Sequence, residues 1–295
     1  MNKINYTNSF NSNIINVYKD KGRLWLSQLP KIISRISEKY RLSELKTVHN
    51  LSYNYVLSGL QSSQPIILKI GLDIDGLHQE AKALDSFAGF GVIKLLEQEN
   101  DMLLLERAVS GISLKSYFPT REMQAIKIAC DVMQRLHLAP LPKTNRFPNI
   151  KDLLSIIDKK SSIQDNYIQK ARHLRDHLLS TSLEPVLLHG DLHHDNILQN
   201  GYDFLAIDPK GVIGEPVFDV AAFIRNPIPE LLDSVHILDI ISNRIDVFAR
   251  ILIKDPQRIK DWCFVQTVLA HIWALEDGVD TGYFKQLTEI FYHLT

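Results

Sequence analysis

Cysteine is almost missing from this chain: Cys130 and Cys263 are the only two thiols in 295 residues, far apart and outside any CxxC pattern. That scarcity excludes a disulfide framework and a cysteine-built zinc site, and it predicts two buried thiols in a reducing cytoplasm. Long apolar runs are missing too, since none approaches the ~20 residues of a membrane-spanning helix, and the Asn-rich opening lacks the apolar core of a secretory signal. Nor is there an excess of one charge. The 33 Lys plus Arg face 34 Asp plus Glu, a formal net charge of −1, so nothing global favours nucleic acid or an anionic membrane as partner. A cytoplasmic protein, monomeric or weakly homodimeric, is the expectation. With 45% hydrophobic and 23% charged residues, the chain is long enough for two lobes with separate cores.

What is present is concentrated in one stretch, Leu188-His189-Gly190-Asp191-Leu192-His193-His194-Asp195-Asn196-Ile197-Leu198, followed by Phe204-Leu205-Ala206-Ile207-Asp208-Pro209. An acid, an amide five residues on and a second acid ending a strand match the order of a phosphoryl-transfer site. Transfer of a phosphoryl group mostly demands positioning and charge neutralisation. Asp191 suits the task of accepting the proton of an attacking hydroxyl. Asn196 offers a neutral oxygen, and Asp208 an anionic one, to a magnesium ion. Apolar Pro185 to Leu188, Ile197-Leu198 and Phe204 to Ile207 read as short strands, with a tight hairpin at Asn200-Gly201.

Upstream, Trp25, Leu29, Ile32, Ile33 and Ile36 recur at helical spacing, predicting a helix over about residues 22–40 that is interrupted or restarted at Pro30. Asn2 to Asn16 reads as loosely ordered. Thr47 to Ser58 alternates like antiparallel strands, Pro65 to Gly71 makes a third, and Val92 to Glu97 and Met102 to Glu106 make two more. Lys69 on the third strand is the candidate grip on the nucleotide's α/β phosphates, and Glu80 on the following helix its ion-pair partner. A glycine-rich phosphate loop is lacking. Asn50-Leu51-Ser52-Tyr53-Asn54 would have to offer backbone N–H groups instead. Glu106 to Ala108 forms the hinge whose backbone meets the adenine. Thr120 is the expected cap of a helix through His137, with Met123, Ile126, Ala129, Val132, Met133 and Leu136 as its buried stripe. The result is an α+β, bilobal protein-kinase-like fold, with a small five-stranded antiparallel N-lobe and leading helix over 1–106 and a mostly helical C-lobe over 107–295.

Two other readings stand beside this one. His189, His193 and His194 with Asp191 or Asp195 have the residue types of a zinc hydrolase, though that leaves Asn196 and Asp208 unexplained. A nucleotide-binding module without transfer activity is the other. It has no chemical need for Lys69, Asp191, Asn196 and Asp208 together.

These residues resemble the aminoglycoside phosphotransferase and choline kinase superfamily, whose loop reads His-Gly-Asp-x-x-x-x-Asn followed by Ile-Asp, and within it the streptomycin 6-kinase (aminoglycoside/hydroxyurea resistance kinase) branch. Trp25-Leu26 with Leu29-Pro30, Glu80-Ala81 with Gly89-Phe90-Gly91, Leu103 to Arg107, Ile207 to Gly211, Gly214-Glu215-Pro216 with Asp219, and Trp273 to Asp277 carry the similarity over about residues 22–277. The resemblance implies ATP- and magnesium-dependent phosphorylation of a hydroxyl on a small cationic or sugar-like acceptor, with a streptomycin-type aminocyclitol first. Fructosamine, choline and homoserine follow as alternatives. It implies Asp191 as base, Asn196 and Asp208 as metal ligands, Lys69 and Glu80 at the phosphates, Glu106 and Ala108 at the adenine, His189 as a loop-fixing residue and Asp219 as the buried acid that fixes the loop backbone. Lys210, Glu276 and Asp277 are acceptor-side candidates. Phe87 and Glu215 depart from the branch, which favours Trp and Asp there.

Overall fold

Local patterning builds a sheet first and a helical body second. The structure, a computed structural model, describes residues 8–48, 51–142, 147–182 and 184–295. The chain divides into two compact units, one of residues 1–85 and 93–111, the other of 86–92 and 112–295.

In the first unit, α1 (Asn8–Tyr40) precedes β1 (Leu42–Thr47), β2 (Tyr55–Gln61), β3 (Gln64–Ile70), α2 (Ile74–Ser86), β4 (Leu95–Glu99) and β5 (Met102–Glu106). The five strands pair antiparallel throughout, in the order β1-β2-β3-β5-β4. This is the small antiparallel sheet expected from alternation. Ile66, Leu68 and Ile70 of β3 and Leu104 of β5 put their side chains into a core shared with Phe10, Ile14, Trp25, Leu29 and Ile36 of α1.

Four expectations need correction here. The strands expected within Thr47 to Ser58 lie at Leu42–Thr47 and Tyr55–Gln61, and Leu51 to Asn54 are not strand. Residues 8–16 are helical rather than loose, because Phe10 and Ile14 are fully buried and anchor an otherwise polar segment; residues 2–7 lie outside the described ones. Pro30 does not interrupt α1, since burial of Trp25, Leu29 and Ile36 outweighs its missing N–H, and the break falls instead at Lys19, with φ 52° and ψ −125°. The strand expected at Val92 to Glu97 lies at Leu95–Glu99, held by Glu106 N–H donating to the Lys94 carbonyl.

The chain then runs through β6 (Ser110–Ser113), α3 (Glu122–Leu136), α4 (Ile150–Leu154), α5 (Asp165–Ser180), β7 (Val186–Leu188), β8 (Ile197–Asn200), β9 (Asp203–Ala206), β10 (Val212–Gly214), α6 (Val217–Ile224), α7 (Ile237–Leu252), α8 (Pro256–Glu276) and α9 (Gly282–Leu294). In the second unit α8 is buried almost all round, from Trp262 to Leu269, and α5, α6 and α9 pack against it. No described helix is long and apolar enough to cross a membrane. Cys130 and Cys263 are both buried free thiols, as expected. Thr120 does not cap α3. Arg121 holds that position without a side-chain cap bond, its guanidinium lying 3.7 Å from the Tyr117 ring centroid. Met123, expected in the buried stripe, is 41% exposed, while the rest of the stripe is buried.

Candidate functional site

Two short antiparallel strand pairs carry the loops that matter. β7 pairs antiparallel with β10 and β8 with β9, and Leu187, Leu188, Ile197 and Ala206 are fully buried, so the strands are held by their apolar faces while the loops after β7 and β9 stay polar. The loops are tied together by His189. Its ring Nε2 lies 2.8 Å from the Ile207 carbonyl, its Nδ1 accepts the Asp191 N–H at 3.3 Å, and its own carbonyl accepts the Lys210 N–H at 2.8 Å. That pattern requires the neutral Nε2–H form, and burial pushes the His189 pKa down despite nearby Asp219. Asp219 at the start of α6 is fully buried and accepts from His189 N–H at 3.0 Å, Gly190 N–H at 2.8 Å and His137 Nε2 at 3.0 Å.

Asp191 is the carboxylate this scaffold presents. Its side chain is 33% exposed, with Oδ1 3.5 Å from Arg225 Nη2 and Oδ2 3.7 Å from His193 Nε2. Burial pushes its pKa up, but the charges of His193, Arg225, Lys210 and His189 outweigh burial and hold the carboxyl below its ordinary value. The group stays ionised near neutrality, as a proton acceptor must.

Asn196, buried, donates from Nδ2 to the Asp191 carbonyl at 2.9 Å and has His193 Nε2 3.3 Å from the same nitrogen, while no bond among the described residues uses its amide oxygen. Asp208 sits at φ 57°, a left-handed conformation made more unusual by the following Pro209; an Asp in that region costs on the order of 1–3 kcal/mol unless the surroundings enforce it. Its charge reaches His193, whose pKa is lowered by burial against the opposing pull of Asp191, Asp195 and Asp208. The Asn196 amide lies beside the same histidine through Nδ2, 3.3 Å from His193 Nε2, and an amide oxygen and a carboxylate are hard donors of the kind a hard divalent cation takes. Lys210 is exposed.

The three histidines do not converge. His194 is fully buried, stacked 3.8 Å from the Phe223 ring and 3.5 Å from Arg244 Nη2, and burial drives its pKa well down. Among the described residues no three His, Cys, Asp or Glu side chains group as a metal site.

In the first unit, Lys69 Nζ donates to Glu80 Oε2 at 2.7 Å, both side chains nearly buried. Two opposite charges taken out of water need such close pairing. Glu106 ends β5 with its Oε2 accepting the Lys94 N–H at 3.2 Å, and Ala108 follows, buried. Of the expected phosphate loop, Leu51 to Asn54 are described, whereas His49 and Asn50 lie outside the described residues.

Glu276 and Asp277 are exposed at the end of α8, with Glu276 3.8 Å from Lys159, and no bond among the described residues joins either to the Asp191 loop. Glu215 lends its longer carboxylate to Arg258 at 2.5 and 2.6 Å and to Trp262 Nε1 at 3.0 Å, a framework role. Arg225 and Arg244 were not picked out by sequence. Arg244 is fully buried, clasping Glu122 at 2.7 and 3.0 Å and donating to the Ile224 carbonyl at 2.9 Å. For Arg225 the available signal was its place at the end of the wholly apolar run Val220 to Ile224.

Known proteins are similar to this chain both in sequence and in fold. The sequence profile described as aminoglycoside/hydroxyurea antibiotic resistance kinase matches residues 43–278. A streptomycin 3''-kinase from Klebsiella pneumoniae is 30% identical over 82% of this chain and 91% of its own length. A streptomycin 6-kinase from Streptomyces griseus is 24% identical over 88% of this chain and 87% of its own. Among solved structures, aminoglycoside phosphotransferase APH(4)-Ia aligns with TM-score 0.69 at 15% identity, covering 90% of this chain and 98% of that one. A thermostable mutant of it, in ternary complex with ADP and hygromycin B, aligns with TM-score 0.65 at 13% identity, covering 88% and 97%.

Proposed function

The chain belongs to the aminoglycoside/hydroxyurea antibiotic resistance kinases, and from that premise we propose that it transfers the γ-phosphoryl group of ATP to a hydroxyl of a streptomycin-type aminocyclitol. The observation that carries the assignment of Asp191 is its carboxylate, part-exposed and kept ionised by a surround of basic groups, on a loop pinned by His189, Asn196 and Asp219. In the proposed step the acceptor oxygen attacks the γ-phosphorus, the bond to the bridging oxygen breaks, ADP leaves, and the hydroxyl proton passes to an Asp191 carboxylate oxygen. Asn196 through its amide oxygen and Asp208 through its carboxylate would hold magnesium, which when bound neutralises charge on the phosphate oxygens. Lys69, fixed by Glu80, would bind the α/β phosphates, and the backbone of Glu106 to Ala108 the adenine. Lys210 is proposed to meet the transferred phosphate, and Glu276 and Asp277 a cationic part of the acceptor.

An ADP-release assay with magnesium across streptomycin, other aminoglycosides, hydroxyurea, choline and homoserine tests the acceptor. Turnover with streptomycin alone is the expected result. The relatives are named for two positions, 3'' and 6, so the phosphorus-coupled NMR of the product identifies which hydroxyl is used. Turnover with another acceptor and none with streptomycin would overturn the substrate while leaving the reaction class. For the metal ligand, Asp208→Ala is expected to remove the magnesium dependence of nucleotide binding. Titration calorimetry showing the same magnesium effect in this variant would remove the assignment.

A further inference from the structure

The segment between β1 and β2 lacks the glycines that let other phosphate loops bend onto a nucleotide, yet it is not left to itself. Leu51 is 8% exposed, and its side chain belongs to the core formed by Phe10 and Ile14 of α1 with Tyr55 of β2. Phe10 and Tyr55 rings lie 5.6 Å apart. One residue on, the Ser52 carbonyl accepts from Asn13 Nδ2 of α1 at 3.4 Å. At the far end Asn54 lies against the turn after β3: a Cβ placed on Gly71 would stand 2.0 Å from Asn54 Oδ1. At the mouth of the segment the Val48 N–H donates to the Val56 carbonyl at 3.1 Å. Between these anchors Ser52 and Tyr53 remain exposed.

We propose that the first arm of α1, residues 8–18, is the platform that holds Leu51 to Asn54 in a fixed conformation, so that nucleotide affinity depends on packing between Phe10, Ile14 and Leu51 and on the Asn13 and Asn54 contacts. The inference rests on the ATP-binding reading above. Its physical logic is preorganisation: a loop ordered before binding loses less entropy when phosphates arrive, and backbone amides without glycines suffice once Leu51 to Asn54 no longer need to flex. The leading arm is then a positioning element for the nucleotide loop and touches no substrate. This also explains the sharp turn at Lys19, which lets one continuous segment place Phe10 and Ile14 in the same core as Trp25, Leu29 and Ile36.

The test compares wild type with Leu51→Ser, Asn13→Ala and Gly71→Ala. Leu51→Ser removes the buried anchor, and Gly71→Ala displaces Asn54. Asn13→Ala leaves the core intact and guards against a folding failure. Magnesium-ATP affinity by titration calorimetry, KM for ATP, KM for the acceptor, kcat and hydrogen exchange of peptides covering 51–54 are measured together. The expected result is a rise of about 5–20-fold in ATP Kd and KM for Leu51→Ser and Gly71→Ala, and about 2–4-fold for Asn13→Ala. Faster exchange at 51–54 accompanies these rises, while acceptor KM and kcat stay within about 2-fold. Unchanged ATP affinity in all three folded variants overturns the platform and leaves the kinase reading intact. No binding of magnesium-ATP by wild type overturns both.

Discussion

At the residue scale, Asp191 combines two demands that compete elsewhere in the molecule. It must be accessible to an acceptor and yet held in one orientation. The structure answers with contacts to its backbone, from His189 Nδ1 and Asn196 Nδ2, rather than by burying both carboxylate oxygens. Asp191→Asn keeps the shape and the backbone bonds but cannot take a proton. The expected outcome is a kcat lower by about 10²–10⁴-fold with nucleotide affinity within a few-fold, read by ADP release and calorimetry. Turnover equal to wild type would exclude Asp191 as the base. The order Asp191, Asn196, Asp208 was legible because all three lie within one local stretch whose strand pattern is strong. Arg225 was not. Nothing in its spacing from Asp191 predicts that α6 ends with its guanidinium beside that carboxylate, because tertiary packing of α6 against α8 sets the placement. The strained backbone of Asp208 was likewise hidden, since a residue before proline is ordinarily extended.

At the scale of elements, sequence periodicity predicted the five-stranded sheet and the later part of α1, but it displaced the first and fourth strands and missed the first arm. Phe10, Ile14 and Tyr18 stand at i, i+4 and i+8, a helical spacing that the Asn- and Ser-rich composition around them masked, and the burial of Phe10 and Ile14 becomes visible only once the sheet is present. Substitution at Gly22 reads out the packing of the two arms. Replacing glycine by alanine inside a helix normally stabilises by about 1 kcal/mol. Here a Cβ at Gly22 would stand 2.7 Å from the Ile14 carbonyl oxygen, a backbone atom that cannot swing aside. Gly22→Ala is therefore expected to reverse the usual sign and lower the melting temperature, by an amount corresponding to about 1–3 kcal/mol, as overpacking does in a close-packed core. A variant melting above wild type would show that the arms do not meet there. The same logic explains why the Thr120 cap was misplaced: Arg121 engages Tyr117, and Glu122 engages Arg244, so side-chain contacts made elsewhere fix where α3 starts.

At the scale of the whole molecule, the two units differ in how acid reaches them. In the second unit His189, His193, His194 and His271 all have pKa values pushed below the usual imidazole range, first by burial. A depressed histidine pKa means the unfolded chain binds a proton that the folded chain refuses, so stability is complete above about pH 6.5 and declines as pH falls below it. The slope is about 1.4 kcal/mol per pH unit for each proton taken up on unfolding. Asp261, its pKa raised by burial, acts in the opposite direction, but it is one group against four and its window begins only near the carboxylate range. In the first unit the titrating contact is Glu99, held to about 2 by hydrogen bonds from Lys39 and Arg35, so its stabilisation persists until pH drops below about 4.5 and is lost toward 2. Those partners are about half exposed, so the contribution is screened and small. Acid is thus expected to loosen the helical unit first. Fluorescence of a Trp25→Phe variant reports the second unit through Trp262 and Trp273, and its melting temperature should fall steadily between pH 6.5 and 5. A variant keeping Trp25 alone, with Trp262→Phe and Trp273→Phe, should show a flatter profile over the same range. Equal pH dependence for both reporters would mean that burial of these histidines does not control the acid response.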